Sequence, residues 1–562
     1  MHILLLASAF NSLTQRVQAE LRDHGHSVAV RLVHEDGGGS VREAVHQECP
    51  DLVVAPYLRT AIPEDVWSLH TCLIVHPGPV GDRGPSSLDW AVHEGTDRWG
   101  VTVLQANAEM DAGDVWASVS CALPPVGKSD LYRNEVSDAA MAAVLLAVGR
   151  FASGTYEPAP QDAGSDHRCR PLFRQSLRRI DWQADSSSTV VRKLRAADSQ
   201  PGVLDEMLGD EWFLHGGYPE PRLSGRPGEI VATRDGAICR ATTDGAVWIP
   251  ELRPRRRPGG PATFKLPATV ALEGRLSAVP TRAAPLHRIG HEDTWAEIGY
   301  REEAGIGLLS FSFRGGAMST EQCRRLLRAY RFACSRPTSV LVLGGGRDFF
   351  SNGIHLNVIE AADDPGAESW DNINAMDDLV EAVLTTTDRL VVSAVAGNAA
   401  AGGVMLALAA DEVWCRAGAV LNPHYRLMGL YGSEYWTYSL PRRVGAAAAE
   451  RLMQDALPVS SAAAHGLGLV DSVIACAPDS FDSEVGARAA RLAALPATQS
   501  RINAKKAERD RVDLTPYRTA ELARMRRIFA DPHHPYHGLR RAFVRKEGPA
   551  SGSAARPAHP RG

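Results

Sequence analysis

A stretch rich in glycine and alanine constrains the fold more than any other feature of the chain. Residues 396–407 read Ala-Gly-Asn-Ala-Ala-Ala-Gly-Gly-Val-Met-Leu-Ala. Side chains this small let a helix start close to a neighbouring strand, and its first N–H groups lie at the positive end of the helix dipole. Such a helix start can present an N–H group to a bound acceptor, or the helix can be buried for packing alone.

Other short segments occur in a definite order around this stretch. Residues 339–343 form an apolar run, Gly344–Gly346 follow, and residues 350–356 read Phe-Ser-Asn-Gly-Ile-His-Leu. Residues 462–471 read Ala-Ala-Ala-His-Gly-Leu-Gly-Leu-Val-Asp. A dinucleotide-binding loop at the three glycines is disfavoured, because no GxGxxG pattern opens a helix there. From about residue 305 to residue 473, these segments resemble the crotonase (enoyl-CoA hydratase/isomerase) family.

The crotonase resemblance implies a ββα superhelical fold that binds a coenzyme A (CoA) thioester. In that family two backbone N–H groups hold the thioester carbonyl, and the matching positions in this chain are Ile354 and Gly402. Gly353 and Gly403 lie next to them in the sequence and are predicted to contact the bound thioester.

Both acidic residues of a typical crotonase are missing from the matching positions. One helical turn after Gly402 stands Met405, which neither donates nor accepts a proton at neutral pH. The second position is Tyr425, in a segment rich in aromatic and ionisable residues. This segment could be an aromatic plug over the core, but we favour acid chemistry moved to a new carboxylate, Glu434. Tyr425 and Glu434 are the predicted catalytic residues, and which is acid and which is base stays open.

The N-terminal part alternates strand and helix patterns, which predicts a parallel α/β sheet. Residues 1–7 form an apolar strand, 12–24 an amphipathic helix and 27–30 the next strand. The later segments that carry a second resemblance are residues 73–79, 83–91, 100–104 and 110–115. They resemble the folate-dependent formyltransferases, such as methionyl-tRNA formyltransferase. The resemblance implies that Arg83, Gly84 and Ser86 contact substrate, with Ser86 capping a helix.

The formyltransferase family surrounds the formyl group of 10-formyltetrahydrofolate with an Asn, a His and an Asp. His76 and Asp111 match two of these, and together they can stabilise an oxyanion and relay a proton to the folate nitrogen. The Asn position is Ile74. Loss of one oxyanion donor typically slows such a reaction about a hundredfold to a thousandfold. A thiol acceptor fits this change, because a thiolate is a better nucleophile than an amine that must first lose a proton.

The chain as a whole resembles the HypX (HoxX) family of nickel–iron hydrogenase maturation factors, which joins these two modules in this order. The resemblance implies formyl transfer from 10-formyltetrahydrofolate to CoA, followed by decarbonylation of formyl-CoA to carbon monoxide (CO) and CoA. The CO then becomes a ligand of the hydrogenase iron. The expected partners are therefore these small molecules and the maturation proteins that receive CO.

Two other functions stay open from the sequence. One is a fusion protein whose C-terminal half still hydrates or isomerises enoyl-CoA, against which Met405 and Tyr425 argue. The other is a scaffold that binds folate or CoA without catalysis, which Ile74 and the missing crotonase acids favour.

The predicted fold class is multidomain α/β, with a parallel sheet first, a small β-barrel in the middle and a ββα superhelix with a helical extension last. The predicted boundaries are 1–160 for the formyltransferase-like domain, 161–275 for the β-barrel, 276–295 for a linker, 296–500 for the crotonase-like domain, 501–548 for C-terminal helices and 549–562 for a disordered tail.

Composition narrows the partners and the location. The 61 basic and 66 acidic residues nearly balance, so neither nucleic acid nor a membrane surface is an expected partner. We find neither a signal peptide nor an apolar span long enough for a bilayer, which predicts a cytoplasmic protein. The nine cysteines and 19 histidines show no CxxC or HExxH pattern, so no metal is predicted. The attached N-terminal module favours a monomer over the trimers of many crotonases.

A basic run at Arg253–Arg257 lies in a proline-rich segment. It is either a solvated loop or a contact for the phosphates of CoA, for which Arg255 and Arg256 are the candidates.

Overall fold

The computed structural model describes residues 1–33, 38–161, 168–286 and 294–547. It divides into two compact units: an N-terminal unit of Met1–Val231 and Ile238–Pro250, and a C-terminal unit of Ala232–Ala237 and the chain from Glu251 onward. Part of the predicted linker, and all of the predicted disordered tail, lie outside the described residues. The finer domain boundaries stay a prediction.

A six-stranded sheet forms the core of the N-terminal unit. The strands up to residue 122 are β1 (His2–Ala7), β2 (Ser27–Leu32), β3 (Leu52–Tyr57), β4 (Cys72–His76), β5 (Asp82–Arg83), β6 (Arg98–Gln105) and β7 (Val115–Ala122). The sheet order is β2-β1-β3-β4-β6-β7. The predicted parallel pairing is confirmed for β1 to β4, whereas β6 runs antiparallel to both β4 and β7.

Helices cover this sheet. They are α1 (Ser12–Asp23), α2 (Gly38–Glu48), α3 (Glu64–Trp67), α4 (Ser87–Glu94), α5 (Lys128–Arg133) and α6 (Glu135–Ser153). Contrary to the expectation from the sequence, the segment Lys128–Ser153 is long and apolar enough to cross a membrane, but half of its most apolar window is buried inside the protein. Because α6 packs on β6 and β7, it acts here as a core helix.

Short strands dominate the middle of the chain, as the sequence predicts for this region. The first, β8 (Arg168–Cys169), pairs parallel with β5. The others are β9 (Val203–Met207), β10 (Asp210–His215), β11 (Tyr218–Glu220), β12 (Ile230–Arg234), β13 (Ala237–Ala241), β14 (Ala246–Ile249), β15 (Glu251–Pro254) and β16 (Leu266–Pro267). The helices here are α7 (Gln175–Arg178), α8 (Ser187–Ala197) and α9 (Ala268–Ala271). Among the antiparallel pairs are β9 with β10, β14 with β11 and β13, and β15 with β16.

Two sheets form the centre of the C-terminal unit. Their strands are β17 (Ile298–Glu303), β18 (Ile306–Phe311), β19 (Val340–Gly344), β20 (Phe349–Ser351), β21 (Leu390–Val395), β22 (Asn398–Ala400), β23 (Glu412–Arg416), β24 (Val420–Asn422), β25 (Val459–Ser460) and β26 (Ser472–Ile474). One sheet has the order β17-β18-β19-β21-β23-β26 and the other β20-β22-β24-β25. From β19 to β24, successive strands thus alternate between the first sheet and the second, as the predicted ββα superhelix requires.

Helices complete each turn of this superhelix. They are α10 (Thr320–Cys334), α11 (Leu356–Ala361), α12 (Pro365–Leu384), α13 (Gly402–Leu408), α14 (Trp436–Val444), α15 (Ala446–Asp455), α16 (Ser461–Leu467), α17 (Phe481–Ala494), α18 (Ala497–Arg509), α19 (Thr515–Ala530) and α20 (Pro535–Arg545). The predicted C-terminal helices do pack back on the core, since α19 lies against α12 and α20 against α11.

Candidate active sites

The first candidate site lies at the end of β4, where His76 is buried between two carboxylates. Its Nε2 is 3.0 Å from Asp82 Oδ2, and its Nδ1 is 3.5 Å from Asp111 Oδ1. With a carboxylate at each ring nitrogen, the imidazole can carry a positive charge or exchange a proton with a bound group.

The turn after His76 leaves room only for glycine. A Cβ on Gly78 would overlap the imidazole Nε2 and lie 2.5 Å from Asp82 Oδ2. Hydrogen bonds fix the turn, because Thr102 Oγ1 donates to the Gly78 carbonyl over 2.8 Å and Ser87 Oγ donates to the Pro77 carbonyl over 2.7 Å. The close approach of Asp82 to the ring therefore depends on the missing side chain at position 78.

Asp111 reaches the ring from a tight acidic turn after β6. Its φ of 54° lies in the left-handed region, and its Oδ2 accepts a hydrogen bond from Gly84 N over 3.1 Å. Gln161 Nε2 donates to the carbonyls of Asp111 and Gly113, each over 2.9 Å. The carboxylate is thus held on one side by the predicted substrate-binding glycine.

Three other predicted residues line the surroundings of this site. Ile74 is half-buried on β4 and packs against apolar neighbours, so no amide donor replaces the Asn of the formyltransferases at this position. Arg83 Nη1 donates to Glu109 Oε1 over 2.9 Å. Ser86 occupies the N-cap position of α4, as predicted, but its side chain makes no capping hydrogen bond. Its Oγ instead accepts a hydrogen bond from Phe173 N over 3.1 Å.

A cleft of about 380 Å³ opens beside the acidic turn. It is lined by Trp67, Ser68, Gln105, Ala106, Asn107, Gly113 and Asp114. An aromatic ring, two amides, a carboxylate and backbone groups thus line this open cleft.

The second candidate site lies where α13 begins. A Cβ on Gly353 would lie 3.1 Å from Gly402 N, so the two predicted oxyanion segments meet. Within the residues that the structure describes, neither Ile354 N nor Gly402 N donates to a protein acceptor. Gly403 is required for packing, because a Cβ there would overlap the Ser351 carbonyl oxygen.

The carboxylate of Glu434 covers this glycine. A Cβ on Gly402 would overlap Glu434 Oε1 and lie 2.7 Å from its Cδ. The other oxygen, Oε2, accepts hydrogen bonds from Tyr425 OH over 2.9 Å and from Ser433 N over 3.0 Å. The structure therefore brings the two predicted catalytic residues together and leaves Oε1 as the oxygen next to the candidate oxyanion donor.

Two further buried carboxylates stand behind Glu434, and sequence reasoning did not single them out. Asp377 on α12 accepts hydrogen bonds from Glu434 N and Ser433 Oγ at its Oδ1, each over 2.8 Å. Glu521 on α19 accepts from the backbone N–H groups of Tyr435 and Thr437, over 2.9 and 2.8 Å. Asp377 and Glu521 are both fully buried.

Burial dominates the proton affinity of this cluster. It raises the pKa of Glu434 to about 8, with a further contribution from the charge of Asp377, and it raises the pKa of Asp377 to about 7. Burial and the neighbouring Glu434 also hold the pKa of Tyr425 well above 10. At neutral pH, Tyr425 therefore remains a hydrogen-bond donor, while Glu434 can gain or lose a proton.

The remaining predicted positions lie away from these contacts. Met405 is fully buried within the apolar core of the C-terminal unit. Arg255 and Arg256 lie on an exposed loop after β15, and Arg256 Nε donates to the Gly260 carbonyl over 2.7 Å. Their contact with CoA phosphates stays a prediction. Among the described residues, no group of three or more His, Cys, Asp and Glu side chains is arranged to hold a metal ion.

Comparison with known proteins agrees with this division of the chain. The family model for the formyl transferase C-terminal domain matches residues 173–263, and the model for enoyl-CoA hydratase/isomerase matches residues 314–548. The chain is 27% identical over 251 residues to a methionyl-tRNA formyltransferase of Variovorax paradoxus, covering 42% of this chain and 76% of that protein. The fold and the two sites thus define a protein that joins a formyltransferase module to a crotonase module.

Two relatives match nearly the whole chain. The hydrogenase maturation factor HoxX of Bradyrhizobium diazoefficiens is 48% identical over 555 residues, covering 97% of this chain and 95% of that protein. A crystal structure of HypX from Aquifex aeolicus in complex with tetrahydrofolic acid is 44% identical, with a TM-score of 0.93, covering 97% of this chain and 96% of that one. The chain belongs to the HoxX/HypX family of hydrogenase maturation factors.

Proposed function

We propose that this protein makes carbon monoxide for hydrogenase maturation in two steps. The N-terminal site transfers the formyl group of 10-formyltetrahydrofolate to the thiol of CoA, and the C-terminal site splits formyl-CoA into CO and CoA. The observation that carries the proposal is the position of Glu434, whose Oε1 lies directly over Gly402 at the start of α13. The candidate proton acceptor therefore lies next to the residue whose N–H is the candidate carbonyl donor.

In the first step, the CoA sulfur attacks the formyl carbon and the bond from that carbon to the folate nitrogen breaks. His76, with Asp82 and Asp111 at its two nitrogens, stabilises the tetrahedral oxyanion and supplies the proton that the folate nitrogen takes up. The thiol gives its proton to the imidazole in the same step, so His76 ends the reaction with the proton that it started with and the charge balances. Ile74 gives no oxyanion donor, which favours a thiol over an amine as acceptor.

The folate and CoA assignments have separate support. The tetrahydrofolic acid in the Aquifex aeolicus HypX structure supports folate as the formyl carrier of this chain, and the cleft beside the acidic turn is a candidate for its ring system. The crotonase module and its opposed N–H groups support a CoA thioester. Arg255 and Arg256 remain candidates for the CoA phosphates.

In the second step, the thioester carbonyl accepts hydrogen bonds from the N–H groups of Ile354 and Gly402. Glu434 Oε1 takes the proton of the formyl C–H bond, whose electron pair stays on carbon as CO forms. The C–S bond breaks with its electrons on sulfur, and Glu434 returns the proton to give CoA. Tyr425 donates to Oε2 and keeps the carboxylate in place. The overall step is redox-neutral.

The cellular location and the oligomeric state are part of this proposal. We propose that the protein works in the cytoplasm as a monomer and passes CO to the proteins that assemble the hydrogenase iron centre. Light scattering of the purified protein tests the monomer, and co-purification with the assembly proteins tests the handover.

The test uses 10-formyltetrahydrofolate with a carbon-13 label in the formyl group. The purified protein is incubated with and without CoA, and the headspace is assayed for labelled CO by mass spectrometry. We expect labelled CO that requires both substrates and is abolished by Glu434→Gln. The matched control is Glu484→Gln, which changes an exposed glutamate on α17 and leaves the yield unchanged.

Other outcomes point to the alternatives. Formyl-CoA or formate without CO would leave a formyltransferase and contradict the second step. Hydrogenase maturation that survives Glu434→Gln would contradict the enzymatic account and favour a scaffold.

A further inference from the structure

The loop that carries Glu434 has an unusual backbone. Glu434 and Tyr435 are consecutive residues with φ values of 59° and 58°, in the left-handed region that side chains disfavour by about 1–2 kcal/mol each. Such a conformation persists only where its surroundings hold it in place. The contacts of this loop should therefore show what keeps the Glu434 side chain over Gly402.

Asp377 holds the first of these residues. Its Oδ1 accepts from Glu434 N over 2.8 Å, and it lies on the buried face of α12 between Ile373 and Val380. An apolar residue would be the stable choice at such a position, because burying a carboxylate carries a large desolvation penalty. A structural explanation based on core packing alone does not account for an acid here.

A single hydroxyl connects the two carboxylates. Ser433 Oγ lies 2.8 Å from Asp377 Oδ1 and 3.3 Å from Glu434 Oε2. A serine has one hydrogen to donate, so it can serve only one of these oxygens well at a time. The shorter distance favours Asp377, and a change in the charge of either carboxylate is felt by the other.

Glu521 anchors the other end of the loop. It accepts from Tyr435 N and Thr437 N, and from Thr437 Oγ1. The hydrogen bonds of Glu521 thus go to residues that follow Glu434 in the chain, whereas Asp377 accepts a hydrogen bond from the backbone of Glu434 itself. Of the two carboxylates, Asp377 is therefore the one that contacts the catalytic residue directly.

We infer that Asp377 is a positioning residue for Glu434: it accepts the hydrogen bond of Glu434 N and so holds the left-handed backbone that places Oε1 over Gly402. This inference rests on the proposed function of Glu434 as the proton acceptor. It adds a residue from α12 that the oxyanion segments and the Tyr425–Glu434 pair do not include.

The ionisable groups around Asp377 and Glu434 determine in which direction the pKa of Glu434 changes when Asp377 is replaced. The ionisable groups are Cys323 on α10, Asp377 on α12, Tyr425 in the 3₁₀ turn Tyr425–Met428, Tyr435 in the loop, and Arg518 and Glu521 on α19. Arg518 is paired with Asp378 and Glu381. Removing the charge of Asp377 should therefore make Glu434 ionise at lower pH.

The test is the pH dependence of CO release from formyl-CoA by Asp377→Asn. Asparagine keeps the size and an oxygen acceptor but loses the charge. We expect the rising limb of the rate against pH to move down by about one pH unit, with a lower maximal rate. The matched control is Asp371→Asn, an exposed aspartate on the same helix, which should reproduce the wild-type profile.

A second variant covers the case in which Asp377→Asn does not fold. Asp377→Ser also removes the charge and keeps a hydroxyl oxygen, and infrared spectroscopy follows the C=O stretch of the buried carboxylic acids of this variant and of the wild type during a pH titration. Without the charge of Asp377, Glu434 should lose its proton at lower pH than in the wild type.

The possible outcomes distinguish a failure of the inference about Asp377 from a failure of the proposed function. If the wild type releases CO and Asp377→Asn has an unchanged pH profile, the inference is wrong and the proposed function stands. If the wild type releases no CO, the proposed function fails, and an unmoved infrared titration would then also refute the coupling.

Discussion

Replacing Gly402 by alanine tests the geometry of the C-terminal site directly. The substitution keeps the backbone N–H, and Gly402 has an ordinary helical position that alanine can adopt. Its new Cβ would overlap Glu434 Oε1 and lie 2.7 Å from Cδ. The change therefore acts on the carboxylate and leaves the oxyanion donor in place.

The size of the effect follows from these distances. Ordinary contact begins near 3.4 Å, so the carboxyl carbon must retreat by about 0.7 Å. The hydrogen bonds that Oε2 accepts from Tyr425 OH and Ser433 N resist that movement. Because a misplacement near 1 Å can slow a positioned reaction about a hundredfold, we expect CO release from formyl-CoA to fall by roughly that factor.

The assay compares two reactions of the same variant. CO release from formyl-CoA should drop, while formyl transfer from 10-formyltetrahydrofolate to CoA, which uses His76 and Asp111, should stay at the wild-type rate. Gly486→Ala, on α17 with open space around the new Cβ, is the control and should release CO normally. A Gly402→Ala protein that folds and releases CO at the wild-type rate would refute the assignment of Glu434 as the proton acceptor.

Three further predictions concern neighbouring groups. Tyr425→Phe removes a hydrogen bond to the Glu434 carboxylate, worth about 1.5–3 kcal/mol, and should slow CO release roughly tenfold to a hundredfold in the same headspace assay. The folded state keeps the proton of Glu434 up to about pH 8, whereas the unfolded chain releases it near 4.5, so this group's contribution to stability is lost as the pH rises between these values. In Glu434→Gln, the fall of the unfolding free energy with rising pH should be smaller by about 1.4 kcal/mol per pH unit between these values. Chemical denaturation at a series of pH values measures this dependence, and an unchanged dependence would contradict a buried proton on Glu434. Gly78→Ala would press on His76 and Asp82, so formyl-CoA formation should fall about a hundredfold while CO release from supplied formyl-CoA continues.

Local patterns predicted the elements of the N-terminal sheet well, but not every strand direction. The apolar start, the amphipathic helix and the next strand correspond to β1, α1 and β2. The antiparallel direction of β7 was missed, although the sequence holds a signal for it. The connection from Gln105 to Val115 contains no helix and is too short for the crossover that parallel neighbours need.

The candidate sites could be predicted where their residues fall in short motifs. His76 and Asp111 were identified from ordered segments, and Tyr425 and Glu434 lie nine positions apart. Asp377 and Glu521 reach the second site only through tertiary packing, and Glu521 is 86 positions from Tyr435 in the chain. For Asp377 a signal did exist, since an acid four positions after Ile373 and three before Val380 interrupts the apolar face of a helix.

A typical crotonase carries its acid on the helix, whereas this chain carries Glu434 on a loop. This difference fits the proposed reaction, in which a different carbon atom of the substrate loses its proton. Hydration and isomerisation of an enoyl-CoA take place on the acyl chain beyond the thioester carbonyl, so the acids of a typical crotonase must serve that chain. Formyl-CoA has no such chain, and its transferable hydrogen is bonded to the carbonyl carbon itself. A base for that hydrogen must lie beside the N–H that holds the carbonyl oxygen, and Glu434 Oε1 over Gly402 meets this requirement. Met405 is buried in the apolar core, so the residue one turn into α13 offers no second proton acceptor that could replace Glu434.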